Sequence, residues 1–134
     1  MKRYKITKKK YQTREYNNWV NSLEIWSFDS KYLFNLVRSG KKRATSYLYT
    51  KDEKYNEYSV LKQGNKKLLL KTINVEVRSF KDVDEKFAFK EGEGDLSLKY
   101  WQRVHKEFFN KELNGIFNEN IKIVCEEFCL IKRI

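Results

Sequence analysis

The sequence contains few of the residues that bind metals or form covalent cross-links. It has two cysteines and one histidine among 134 residues, whereas a structural zinc site draws four ligands mostly from these residue types. Cys125 and Cys129 lie in a predicted strand, where their separation is about 13 Å, too far for a disulfide. The sequence therefore predicts free thiols, as in a cytoplasmic protein, and neither a metal nor a cofactor.

Long apolar runs and linkers are also missing. No run approaches the roughly 20 residues that a membrane span requires, and the N-terminus lacks the apolar segment of a signal peptide. No internal repeat or Gly/Ser-rich linker divides the chain, whose length suits one domain. A hydrophobic fraction of 40% and an aromatic fraction of 16% predict a globular protein without a membrane span.

Positive charge, in contrast, is abundant. Twenty-nine lysines and arginines against 18 acidic residues give a net charge of +11, which favours polyanionic partners, above all RNA. Residues 1–14 contain seven basic residues and no acidic one. We predict that residues 1–18 form a basic N-terminal arm, extended over residues 1–15, and that residues 19–134 form the single domain. The arm either contacts phosphates non-specifically or is a solvated, solubilising tail.

The spacing of apolar residues predicts an α+β fold. The predicted helices cover residues 30–39, 82–90 and 97–110. The predicted strands cover residues 43–49, 58–62, 67–78 and 121–131, the middle two joined by a turn at Gly64-Asn65. Four or five strands with interspersed helices suggest a small β-barrel with flanking helices and a cleft. The residues of the last helix that are expected to face the core are Leu98, Trp101, Val104, His105, Phe108 and Phe109.

Two segments contain a high density of charged and hydroxyl side chains. SGKKRAT at 39–45 is a basic run that ends on a hydroxyl, and KEGEGDLS at 90–97 carries three carboxylates at alternate positions in a glycine-rich loop. We expect the two segments to form opposite walls of one cleft. The acidic loop is not a calcium loop, because Leu96 and Gln102 stand where such a loop needs glycine and glutamate. Asp95 is expected to favour the positive end of the following helix.

The order of several short blocks resembles the ASCH domain family, in its longer bacterial form. The blocks are WSFDS at 26–30, SGKKRAT at 39–45, YSV at 58–60, VEV at 75–77, EGEGDLSLKYW at 91–101, HKEFF at 105–109 and VCEEF at 124–128. The resemblance implies a PUA-like fold, a compact β-barrel with helices beside a cleft. It also implies that the protein handles RNA or modified nucleosides. Small relatives remove an acyl group from N4-acetylcytidine, and a ribonuclease activity has been attributed to other members.

The resemblance assigns catalytic roles to three residues. In the G-x-K-x-x-T pattern of the hydrolases, counted from Gly40, the lysine corresponds to Lys42 and the threonine to Thr45. The catalytic glutamate corresponds to Glu91, with Glu93 as a competitor. Coactivator-type members have glutamate and arginine where this chain has Thr45 and Tyr47, so the chain is closer to the hydrolase form.

Catalysis at such a site requires that the pKa of Lys42 be lowered. A threonine hydroxyl is a poor nucleophile until a base removes its proton, and a lysine can be that base only if its pKa is lowered. The adjacent charges of Lys41 and Arg43 push in that direction, while Glu91 would orient the lysine or carry a proton. The alternative is an ordinary basic turn followed by a β-branched strand residue.

Aromatic and charged residues near these segments are candidates for contacts with RNA or a nucleoside. Stacking surfaces are expected from Trp26, Phe28, Tyr47 and Tyr49, and the other candidate binding residues are Asp29, Lys41, Arg43 and Glu93. Three functions remain open: an RNA- or nucleoside-binding module whose cleft holds one base, an amidohydrolase acting on N4-acylcytidine-type nucleosides, and a ribonuclease. The sequence does not specify an oligomeric state.

Overall fold

The structure, a computed structural model, describes residues 5–52 and 54–134, with side chains from residue 14 onward. The helices are α1 (Lys5–Ser22), α2 (Lys31–Arg38), α3 (Glu85–Glu91) and α4 (Leu98–Glu112), and a 3₁₀ turn covers Phe80–Asp82. The strands are β1 (Ile25–Trp26), β2 (Ala44–Leu48), β3 (Tyr58–Gln63), β4 (Lys66–Ser79) and β5 (Lys122–Arg133). The predicted α+β class is therefore confirmed. None of the helices in the described residues is long and apolar enough to cross a membrane.

Side-chain caps fix where the helices that border the site begin. Ser30 accepts a hydrogen bond from the backbone N–H of Tyr32 at the start of α2, and Ser97 accepts one from Tyr100 at the start of α4. Such caps satisfy backbone donors that a helix leaves free in its first turn. The predicted segment 82–90 is divided, because the chain turns in a 3₁₀ conformation and Asp84 then caps α3.

The five strands form one sheet in the order β1-β3-β4-β5-β2. β1 runs parallel to β3, and the remaining neighbours are antiparallel. Among the described residues, the outer strands β1 and β2 do not pair with each other, so the sheet is open and the predicted closed barrel is not confirmed. β1 has only two residues, which leaves little backbone with which an edge could close.

Two hydrophobic clusters form the core. One joins α3 and α4 to β5 and includes Phe87, Trp101 and Ile123. The other joins α2 to β3 and β4 and includes Phe34 and Leu61. The chain leaves α2 just before residues 41–43 and leaves α3 just after residue 91, so the two polar segments follow elements of different clusters.

The N-terminal segment differs from the prediction. Residues 1–15 were expected to be extended, yet α1 runs from Lys5 to Ser22 and passes through the predicted domain boundary at residue 19; residues 1–4 lie outside the described residues. This segment contains neither glycine nor proline, so nothing in it interrupts a helix. The indole of Trp19 contacts Tyr58 of β3 edge to face, with ring centroids 5.0 Å apart, so the end of α1 packs against the sheet.

One core prediction on α4 is wrong. Phe108 is 47% exposed, whereas Trp101, His105 and Phe109 are buried. These three buried residues are spaced by four along the helix, and residue 108 therefore lies beside the buried stripe rather than on it. The two thiols agree with the prediction, since Cys125 and Cys129 are both free.

Candidate functional site

The two polar segments predicted to form a cleft are in direct contact. The backbone N–H of Arg43 donates to the carbonyl of Lys90 at 2.7 Å. Gly92 ends α3 with a φ of +72°, and a Cβ at this position would overlap the backbone of Lys41. Glycine is therefore required both for its left-handed conformation and for the close approach. The segments form one continuous wall instead of the opposite walls that we expected.

A buried ammonium group lies at the centre of this wall. Lys42 Nζ donates to Glu91 Oε1 at 2.8 Å, to Glu93 Oε2 at 2.7 Å and to the Glu91 carbonyl oxygen at 3.3 Å. The side chains of Lys42 and Glu91 are each 1% exposed. An ammonium group has three N–H donors, so all three are used by Glu91 and Glu93 and none is directed at Thr45.

The second carboxylate oxygen of Glu91 is bound from the other side. Glu91 Oε2 accepts hydrogen bonds from Ser46 Oγ at 2.7 Å and from Trp101 Nε1 at 2.6 Å. His105 Nε2 lies 3.4 Å from the same oxygen, and the His105 ring stacks on Trp101 with centroids 4.4 Å apart. Glu91 is thus held by β2, α4 and the turn before β2, which fixes its position.

These contacts set the ionisation states. Burial alone would lower the pKa of Lys42, but the charges of Glu91 and Glu93 outweigh it and raise that pKa above its ordinary value. Burial opposes the charged form of Glu91 as well, yet Lys42 and His105 lower its pKa. The expected lowering of the Lys42 pKa by Lys41 and Arg43 is therefore wrong, because the nearest charges to its ammonium are carboxylates.

His105 shares this network. Burial, the largest effect, would lower the pKa of its imidazole, but the hydrogen bond and charge of Glu91 raise it overall. Its Nδ1 lies 2.9 Å from the carbonyl oxygen of Trp101, so one ring nitrogen faces the backbone and the other faces Glu91. A proton on His105 thus adds positive charge beside Glu91.

The network lies at the edge of a cavity of about 560 Å³, a volume typical of small-molecule sites. Aromatic side chains make up much of its wall: Trp26, Phe28, Tyr47, Tyr55 and Phe108. The rings of Trp26 and Phe28 meet edge to face with centroids 5.1 Å apart. Lys42 Nζ lies 5.6 Å from the centroid of Phe28, so the polar network and the aromatic wall adjoin.

Most of the residues predicted from the sequence line this cavity, and a few do not. Those lining it are Lys42, Thr45, Glu91, Trp26, Phe28, Asp29, Tyr47 and Glu93. Lys41 and Arg43 are exposed and lie outside the cavity lining, as does Tyr49. The turn before β2 directs only Lys42 of its three basic residues inward.

Sequence reasoning left several cavity residues out. His105 was interpreted as a core residue; it is buried and hydrogen-bonded as expected, but it also lines the cavity. Ser46, Phe108 and Glu126 also line the cavity. The position of His105 one turn after Trp101 was the available signal, since both residues then face the same carboxylate. Ser46 and Glu126 carry no comparable pattern in the sequence.

Glu91, Glu93 and His105 could in principle hold a metal, because a ligand atom from each lies within 4.8 Å of the others. However, the Lys42 ammonium binds both carboxylates and supplies positive charge between them. A metal ion there would have to displace a buried lysine from two charged hydrogen bonds, which disfavours a resident metal.

Comparisons with known proteins agree with this architecture. A family model described as the ASCH domain matches residues 24–132. An ASCH domain from Lactobacillus crispatus JV V101, known from its crystal structure, has 27% sequence identity to this chain and a TM-score of 0.72. The match covers 87% of this chain and 84% of that chain. A protein from Enterococcus faecalis V583 is 25% identical, with a TM-score of 0.72 and coverage of 91% and 93%.

A further structure, of a hypothetical protein, is 22% identical with a TM-score of 0.55 and shows similarity of fold alone. No protein with a curated description matches the chain. The family model spans most of the sequence, and both ends of its match lie within the described residues. The chain therefore belongs to the ASCH domain family.

Proposed function

We propose that this protein binds RNA and holds one nucleobase, or a modified nucleoside, in the cavity. ASCH domains are generally thought to bind RNA, and the net charge of +11 suits a polyanionic partner. The observation that carries the proposal is the cavity itself, which combines aromatic rings with the buried Lys42–Glu91–Glu93 network. Rings can stack on a base, and Glu93, the most exposed member of the network, can accept a hydrogen bond from its edge.

Substitution of Phe108 tests the proposal with little risk to the fold, because this ring is 47% exposed and lines the cavity. Phe108→Ala is expected to weaken nucleoside binding by about 1–3 kcal/mol, the usual worth of one stacked base. Phe89→Ala is the matched control, since Phe89 is 52% exposed on α3 and lies outside the cavity lining. Calorimetry with cytidine, adenosine and a short RNA would measure the affinities of both variants. Equal affinities for the two variants would count against the cavity as the binding site.

A second candidate function is hydrolysis of N4-acylcytidine-type nucleosides, because Lys42, Thr45 and Glu91 line one cavity. In this reaction the Thr45 hydroxyl would attack the acyl carbon and give its proton to Lys42, which would pass it to the departing N4 amine as the C–N bond breaks. Water would then hydrolyse the acyl-threonine ester and release the carboxylic acid, while Glu91 would hold the lysine in place. The raised pKa of Lys42 opposes that role, so a substrate would first have to draw Glu93 away from the ammonium. Binding without reaction needs no such change and is the better supported function.

Incubation with a panel of N4-acylcytidines and with structured RNA separates the activities. Acyl release by a hydrolase should be abolished in Thr45→Ala and in Lys42→Ala but retained in Thr45→Ser, which keeps a hydroxyl. Turnover in both alanine variants would exclude this mechanism. Cleavage of RNA that a chelator abolishes would instead indicate a metal-dependent ribonuclease.

A further inference from the structure

The charge of the cavity is opposite to that of the protein. Its lining contains six carboxylates against two lysines and one imidazole: Glu24, Asp29, Glu91, Glu93, Glu112 and Glu126, with Lys42, Lys54 and His105. The whole chain has a net charge of +11, so the positive excess lies outside the cavity. A phosphate group inside it would face repulsion from like charge. The phosphates of a bound RNA are therefore expected to remain on the basic exterior, while only the base enters.

Glu126 contributes negative charge that no cation in the described residues balances by an ion pair. Its Oε1 accepts a hydrogen bond from the Tyr47 hydroxyl at 2.8 Å, and its Oε2 accepts one from Thr72 Oγ1 at 2.8 Å. Both donors are uncharged. They fix the direction of the carboxylate without neutralising it, in contrast to Glu91 and Glu93, which share the ammonium of Lys42.

The aromatic wall also favours a positive ligand. The face of an aromatic ring attracts a cation within about 6 Å of its centroid, and Lys42 Nζ already lies 5.6 Å from that of Phe28. Trp26, Tyr47 and Phe108 line the same cavity. Rings and carboxylates that line one cavity suit a flat group carrying delocalised positive charge, because the rings cover its faces and the carboxylates meet its edge.

We propose that the cavity selects a nucleobase that carries a positive charge, such as a ring-N-methylated base, over a neutral base of the same size. The inference rests on the proposed function, because it assumes that the cavity holds a nucleobase. It adds a chemical class of ligand and assigns Glu126 as the residue that determines specificity by charge. Lys42 does not oppose this preference, because its charge is shared between two carboxylates.

Isomeric nucleosides provide the experiment. 3-Methylcytidine is protonated at neutral pH and is then a cation, whereas its isomer 5-methylcytidine stays neutral; 1-methyladenosine and N6-methyladenosine form a second such pair. Calorimetry on the full chain is expected to show tighter binding of the cationic member of each pair, by about tenfold, the scale of a desolvated cation–aromatic contact. Equal affinity within both pairs would overturn the inference and leave the proposed function intact. Failure of every nucleoside to bind would overturn both.

Two variants test which residue causes the preference for the cationic isomer. Glu126→Gln removes the charge but keeps an acceptor oxygen for one of the two hydroxyl groups, so affinity for the cationic isomer should fall by more than affinity for the neutral isomer, and the preference should shrink. Glu127→Gln is the matched control on the same strand, because Glu127 bonds to Lys90 and Asn74 and lies outside the cavity lining. An unchanged preference in Glu126→Gln would overturn the role of Glu126, and an equal loss in Glu127→Gln would assign the effect to net charge alone.

Discussion

Lys42 and Glu91, which are 49 positions apart in the sequence, form an ion pair at 2.8 Å in which each side chain is 1% exposed. Removal of two charges from water is costly, and their mutual attraction offsets that cost only when further hydrogen bonds complete the site. Ser46, Trp101 and Glu93 provide those bonds. These hydrogen bonds therefore fix the positions of the two charged groups at the edge of the cavity, and the pair is not simply a source of stability.

Loss of the ammonium should be strongly destabilising. Lys42→Met leaves Glu91 and Glu93 facing each other without a cation, and the expected loss in free energy of unfolding is about 3–5 kcal/mol. Lys41→Met alters an exposed neighbour and is expected to change stability by less than about 0.5 kcal/mol. Urea denaturation of both variants at neutral pH checks this. Similar midpoints for the two variants would show that the buried pair is not what holds this region.

Gly92 should be far less tolerant of substitution than Gly40. Both residues have positive φ, +72° and +83°, but a Cβ at Gly92 would overlap the Lys41 backbone, whereas one at Gly40 meets nothing within 4 Å. Gly40→Ala should therefore cost only the left-handed conformation, about 1–2 kcal/mol. Gly92→Ala should cost a further 1–3 kcal/mol, about the penalty of overpacking, because the Lys42–Glu91 contact must open. Denaturation of the two variants measures the loss in free energy of unfolding for each. Equal losses would contradict the close approach of Gly92 to the Lys41 backbone.

Much of the fold could be predicted from the sequence because local patterns determine it. The ends of α2, α4 and the strands of the β3–β4 hairpin follow from caps, apolar spacing and the Gly64-Asn65 turn, and the structure reproduces them within two residues. The failure at α1 came from interpreting a run of positive charge as an extended chain. Charge disfavours burial, but it does not prevent a helix that is anchored at one end by Trp19.

The candidate site was predicted less completely, because its energetics depend on contacts between distant segments. Lys42, Thr45 and Glu91 were found through the resemblance and do line one cavity. The pKa of Lys42 was expected to fall because Glu91 was given the role of orienting the lysine while the charges of Lys41 and Arg43 were taken to dominate, whereas Glu91 and Glu93 both bond to the ammonium and outweigh them. Glu126 could not be anticipated, since its hydrogen bonds come from Tyr47 and Thr72 of neighbouring strands.

His105 should make stability depend on pH in the neutral range. The pKa of its imidazole is raised above the ordinary value of 6.5 in the folded protein. Its protonated form is therefore favoured by folding, and this contribution is fully present below the unfolded-state pKa and lost as pH rises through the folded-state pKa. Denaturation of the wild type and of His105→Gln across this range should show a stability difference that narrows with rising pH. A difference that stays constant would place the effect in packing against Trp101 alone.

The basic segment at the N-terminus should contribute to RNA affinity through phosphate contacts. If it does, replacing Lys8, Lys9 and Lys10 with glutamine should reduce the magnitude of the slope of log affinity against log salt by up to about 2. The reason is that each phosphate neutralised on a single strand contributes roughly 0.7 to that slope. Changing Lys81, Lys86 and Lys99 to glutamine alters the net charge equally at exposed positions elsewhere and serves as the control. Filter binding or fluorescence anisotropy at several salt concentrations measures both slopes. Because phosphate contacts act locally while net charge acts on the whole molecule, a shallower slope in the first variant alone supports direct contact. Identical slopes in all three proteins would identify the segment as a solvated one that does not touch RNA.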